Sequence, residues 1–201
     1  VLVSPTVRCR TLISPAMNAA LRQARFDDGC SLDAAGTARA RTAAGSLPAA
    51  GRVLVSPPVC CRETASALGL DPAAGPAPAG PDVGRWRGRT LDEVSVDEPD
   101  AVAPRLADPS SAPHGGESVH AWCARVGGWL EETAQVSGRT VAVVEPEIVR
   151  AVVVRVLAAP NSAFWRIDVP PLTGSEFTGR AGRWNMALGT VLGRPTEVGA
   201  P

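Results

Sequence analysis

Side chains able to do chemistry are few in this sequence. They are five cysteines, two histidines, and two glutamates that stand in turn-rich segments, Glu117 between His114 and His120, and Glu145 after a β-branched run. Cys9, Cys30, Cys60, Cys61 and Cys123 form no CxxC pair and no Cys/His metal spacing, so no metal or other cofactor is expected. Their odd number argues against a closed disulfide framework and for reduced thiols. Cys60 and Cys61 open an expected helix, where the dipole would favour a thiolate and make Cys60 a nucleophile. No histidine stands near it in sequence to take its proton, so the preferred reading of both is packing.

The elements that must hold these groups follow from apolar spacing and turn residues. Strands are expected at residues 10–14, 52–56 and 140–144, the first two each ended by proline. Helices are expected within 32–47 (Asp33 near its start, Gly36 and Gly45 weakening it), at 60–68 up to Gly69, and at about 147–157. A longer helix capped by Ser118 should run to about residue 137, with Val119, Trp122, Val126, Trp129 or Leu130, and Thr133 on its buried face. Residues 71–81 read as a Pro/Gly/Ala loop, 82–94 as the Gly84-Arg85-Trp86 turn with a short helix, and 99–116 as irregular. Later strands are expected at 164–169 and 183–187. Alternation of strand and helix implies a layered α/β/α sandwich with a largely parallel sheet. Ligands of such folds bind beyond the carboxyl ends of the strands, here the loops 14–19, 56–62 and 144–147.

A chain of 201 residues with 45% hydrophobic and 20% charged side chains fits one globular domain over 1–201, with an irregular insertion at about 71–116 and a short tail at about 188–201. Its 20 basic and 20 acidic groups cancel, which removes any chain-wide attraction to nucleic acid or to an anionic membrane. Every basic side chain apart from histidine is arginine, a bias expected of a high-GC bacterial genome. The apolar segment 141–159 is broken by Glu145, Glu147, Arg150 and Arg155, and no signal-like start is present, so a cytoplasmic location is expected.

Several pieces, in order, resemble the histidine phosphatase (phosphoglycerate mutase-like) superfamily. They are Arg25-Phe26-Asp27-Asp28 with residues 32–36, Ser56-Pro57 leading to Arg62-Glu63-Thr64-Ala65, Gly84-Arg85-Trp86-Arg87-Gly88, Gly115-Gly116-Glu117-Ser118, and Phe164-Trp165-Arg166-Ile167-Asp168 before Pro170 and Pro171. The resemblance implies that fold, and an active site in which a histidine attacks phosphorus while two arginines and a second histidine bind the phosphoryl oxygens. At the implied positions this sequence departs from the family. Ser14, Pro15 and Ala16 stand where Arg-His-Gly is expected, Cys60 where the second arginine is, and Glu145 where the second histidine is; the loop acid Glu117 is kept. Hydrogen bonds to charged groups are worth roughly 1.5–3 kcal/mol each, so losing several removes on the order of 5–10 kcal/mol of phosphate stabilisation.

The resemblance therefore implies a noncatalytic member that binds a small molecule or a protein partner. One alternative is a repurposed enzyme in which Glu117 and Glu145 share a pocket, split their pKa values and handle a cationic or amine substrate. A second is an atypical phosphomonoesterase. A third arrangement would build a site from His114, His120 and Arg8 or Arg10. Arg62 reads as a structural ion-pair or packing residue, and Trp86, Trp122, Trp129, Trp165 and Trp184 as core or pocket wall.

Overall fold

The computed structural model describes residues 8–26, 29–47, 49–72, 77–136, 138–180 and 183–193; Asp27 and Asp28 of the first motif, and the side chain of Arg8, lie outside the described set. Five strands form one sheet: β1 (Arg8–Ile13), β2 (Arg52–Val55), β3 (Gly138–Val143), β4 (Thr173–Arg180) and β5 (Arg183–Val191), in the order β2-β3-β1-β4-β5. The β2-β3-β1 core is parallel, and the antiparallel hairpin β4-β5 extends it.

Both faces of the parallel core are buried, because neighbouring residues of each strand serve different layers. Leu12, Leu54, Ala142 and Val144 pack with α6 (Val119–Thr133) and α7 (Pro146–Val156). Ile13, Val55, Val141 and Val143 pack with α2 (Ala34–Thr42) and α3 (Val59–Ala67). The result is the expected α/β/α sandwich. Helix starts follow the local chemistry: Asp33 caps α2, and the Ser118 hydroxyl accepts the Ala121 N–H at 3.1 Å to start α6. Pro146 occupies the first turn of α7, where its missing N–H leaves no bond unmade. Gly36 is required inside α2, since a Cβ there would sit 2.2 Å from the Met17 carbonyl oxygen. At the far end of α6 the fully buried guanidinium of Arg10 donates to the carbonyls of Thr133 and Val136, the latter at 2.7 Å, and to Cys9 and Gly138 at 3.0 and 3.1 Å.

Four expectations are corrected. Residues 164–169 are not a strand: Pro160 begins a 3₁₀ turn, Asn161–Arg166, that buries Phe164. The strand beside β1 is instead β4, whose Gly- and Thr-rich sequence carries one fully buried large apolar residue, Phe177; its pairing partner, not its propensity, makes it a strand. The stretch 99–116 is not irregular throughout, for α5 (Pro99–Ala107) begins with a proline at its first position, after α4 (Leu91–Asp97) with its Thr90–Glu93 capping box. Residues 188–191 belong to β5 and not to a tail. Helix α6 also stops at Thr133, short of residue 137. A short helix, α1 (Ala19–Arg22), capped by Asn18, follows the β1 loop. Among the described residues no helix is long and apolar enough to cross a membrane.

Candidate functional site

Because β1, β2 and β3 run parallel, Ser14, Ser56 and Glu145 emerge at the same end of the sheet, tied by Ser56 N–H to Val143 at 2.9 Å and Val144 N–H to Ile13 at 2.9 Å. The loop after β1 is turned inward. Ser14 is fully buried; its hydroxyl donates to the Pro170 carbonyl at 2.6 Å and accepts the Thr173 N–H at 3.1 Å. Pro15 is buried and its carbonyl accepts from Leu172 at 3.1 Å, while the Ala16 N–H donates to the Thr64 hydroxyl at 3.0 Å. These bonds fasten the loop to β4 and α3 and leave it facing the core. Ser14→Ala strips bonding partners from a buried site and is expected to cost about 1–3 kcal/mol, read as a lowered urea midpoint with an unchanged slope.

Cys60 sits in the first turn of α3, 6% exposed, and its neighbour Cys61 is fully buried. Arg62, one residue on, points outward and donates to the Pro57 carbonyl. Among the described residues no disulfide joins the five cysteines, and no group of three His, Cys, Asp or Glu side chains could hold a metal ion.

Glu117 is paired with a residue the sequence reading missed, Arg125, whose guanidinium also feels the charge of Glu145. Arg125, on α6, donates to both oxygens of Glu117, Nε at 2.8 Å and Nη2 at 2.6 Å, and stacks 4.6 Å above the Trp122 ring. The hydrogen bonds from Arg125 hold the Glu117 carboxyl below the usual carboxylate range, helped by the Asp82 N–H. Arg125 is in turn held more firmly protonated, first by Glu117 and also by the nearby charge of Glu145. The spacing of Arg125, three residues after Trp122 and seven after the Ser118 cap, was a usable signal for its position at this end of α6.

Residues 77–82 cross the mouth of the site as a strap without helix or strand. The Ala77 N–H donates to Val55 at 3.0 Å, the Ser56 hydroxyl to Pro78 at 2.7 Å, Arg125 to Ala79 and Gly80 at 3.4 and 3.2 Å, and the Asp82 N–H to Glu117 at 3.1 Å. Gly80 lies so close to Glu145 that a Cβ would fall 2.0 Å from its Oε1, and Glu145 is only 9% exposed. Two cavities lie elsewhere: about 420 Å³ between α2 and α3 beside Arg41 and Glu63, and about 580 Å³ between α6 and α7 beside His120 and Cys123.

The histidines do not join this site or each other. His114 is buried edge-on against Trp86, its Nδ1 accepting the Gly116 N–H at 2.9 Å, whereas His120 meets Asn161 at 3.0 Å. Arg10 is at the opposite end of α6, whose 15 residues span roughly 22 Å, so the His114–His120–Arg10 arrangement is not assembled. Trp86 and Trp122 are core, Trp129 and Trp184 flank it, and Trp165 is on the surface. Glu147 faces Arg150 on α7 at 3.9 Å.

The family model of the histidine phosphatase superfamily (branch 1) matches residues 16–190. No curated protein matches in sequence. Among solved structures the chain is similar to a mycobacterial glucosyl-3-phosphoglycerate phosphatase, 19% identical with a TM-score of 0.79, covering 92% of this chain and 99% of that one. It is similar too to a phosphoserine phosphatase variant of Entamoeba histolytica in complex with phosphoserine, 15% identical with a TM-score of 0.77, covering 92% and 98%.

Proposed function

Because the chain belongs to the histidine phosphatase superfamily, we propose that it is a noncatalytic member, acting as a binding or partner protein and not as a phosphatase or mutase. The observation that carries this is the burial of the site itself: Ser14, Pro15, Ala16 and Cys60 face the core, and Glu145 lies beneath the strap. Phosphoryl transfer by this family's chemistry needs a nucleophile and cations that reach phosphorus. Pro15 offers no nucleophile, the Ser14 hydroxyl is spent on backbone carbonyls and the Thr173 N–H, and Glu145 repels a dianion.

A cationic or amine substrate between Glu117 and Glu145 is the weaker reading, because Arg125 already supplies the cation that both carboxylates feel. The odd number of cysteines, which argues for reduced thiols, supports a reducing, cytoplasmic setting, and the arginine-only basic composition a bacterial one.

The test is hydrolysis of p-nitrophenyl phosphate and a panel of phosphate monoesters across pH, with Glu117→Ala beside the native protein. Rates at the buffer background for both are expected. Turnover that Glu117→Ala abolishes would overturn the proposal in favour of an atypical phosphomonoesterase. Stabilisation by an amine, but by no phosphate ester, would favour the amine reading.

A further inference from the structure

We infer that the trough filled by residues 77–82 is a peptide-binding groove, occupied in cis by the chain's own strap and able to take a proline-containing peptide of a partner protein in its place. The inference deepens the partner-protein reading above and rests on it. Its ground is the way the strap is held. Almost every contact is to backbone: the Ala77 N–H on Val55, the Pro78 carbonyl on Ser56, the Ala79 and Gly80 carbonyls on Arg125, and the Asp82 N–H on Glu117. Carbonyls meet a hydroxyl and a guanidinium, and N–H groups meet a strand carbonyl and a carboxylate, so the groove presents donors and acceptors in the order a peptide backbone needs.

Side chains enter this recognition at two points. Ala77 is buried in the cluster formed by α6 and α7, which defines a pocket for one small apolar residue. Gly80 lies against the Glu145 carboxylate, where no larger residue fits without a shift. Pro78 and Pro81 bring no N–H that would need a partner. The occupant is therefore a small apolar residue, then Pro, one residue, Gly and Pro, preferably followed by a residue whose N–H can reach Glu117. Of the strap, Ala77 alone is fully buried, so little apolar surface holds it down. What a competing peptide must overcome is the high effective concentration of a tethered segment, of millimolar order.

Hydrogen exchange on the native protein and peptide binding to a variant together test this. The amides of Ala77 and Asp82 are expected to exchange at least about a hundredfold faster than those of Val141 and Val143, because the strap opens without the sheet. Exchange of the strap amides only at the rate of the sheet would overturn the inference. A labelled peptide with the sequence of residues 77–82 should bind Ala77→Asp, whose charged side chain the buried apolar cluster excludes, at least about tenfold more tightly than the native protein. Adding Arg125→Ala should remove that binding. Ala77→Asp that melts cooperatively yet ignores the peptide would also overturn it. The phosphatase assay reads separately: a protein that hydrolyses esters and still binds the peptide sinks only the noncatalytic reading, and an inactive one that ignores it sinks only the groove.

Discussion

Arg10→Ala is expected to destabilise the protein by about 2–5 kcal/mol, the order for stripping the donor from several buried carbonyls and leaving a cavity. Arg10 is 1% exposed, and its guanidinium donates to four carbonyls, two of them from the end of α6 and the turn beyond it. Helix C-termini leave carbonyls without intrahelical partners and carry partial negative charge, so a cation there is favourable twice over. Alanine would strand these acceptors in a place water does not reach and leave a cavity between β1 and α6. Arg10→Met fills the volume without the donors, so a loss close to that of alanine assigns the effect to hydrogen bonding, and a loss under about 1 kcal/mol for both would refute the role. Urea unfolding followed by Trp fluorescence reads the difference, since Trp122 and Trp129 lie on α6.

Lowering the pH from 7 to about 4 is expected to remove roughly 3 kcal/mol of stability through His114 alone. Burial first, then Arg105 and Arg85, push this imidazole down to about 4, with Asp82 opposing them. An unfolded histidine titrates near 6.5, so between about 6.5 and 4 the unfolded chain binds the proton that the folded protein refuses. Stability from this group is complete above about pH 6.5, falls as pH drops, and is flat below about 4. Protonation would also end the acceptance of the Gly116 N–H by Nδ1, the bond that shapes the turn before Glu117. Asn at this position can accept the same N–H without titrating. Stability of His114→Asn should therefore depend less on pH across that window, and equal slopes for the two proteins would remove His114 from the account. Glu117, whose folded pKa is lowered, adds a loss that begins as pH falls through the ordinary carboxylate range, in the lower part of that window, and continues below it, and it does so in both proteins.

How much was legible beforehand differs by kind of residue. The strands β1, β2 and β3 and the helices α3, α6 and α7 announce themselves through short apolar runs, caps and breakers within a few residues. The segments that carry Ser14, Pro15, Cys60 and Glu145 could be placed in the same way, because each follows directly on an apolar strand run at the same end of the sheet. Strand β4 could not, since Thr173–Arg180 gains its conformation from hydrogen bonds to β1, more than 150 residues away throughout. The helix α5 was obscured by Pro99, which sits harmlessly in the first turn, and by Pro104, which lies inside the helix and reads in sequence as a breaker.

Local pattern determined the layered α/β/α architecture, because apolar runs, caps and breakers each depend on neighbours a few residues apart. Tertiary structure alone decided that Arg125 pairs with Glu117 and feels the charge of Glu145, that Gly80 lies on the Glu145 carboxylate, and that the Ser14 loop faces inward. Those contacts join segments dozens of residues apart in a region rich in Pro, Gly and Ala, and with no periodic pattern there to say where the strap lies, only the packed chain could bring its carbonyls to the guanidinium.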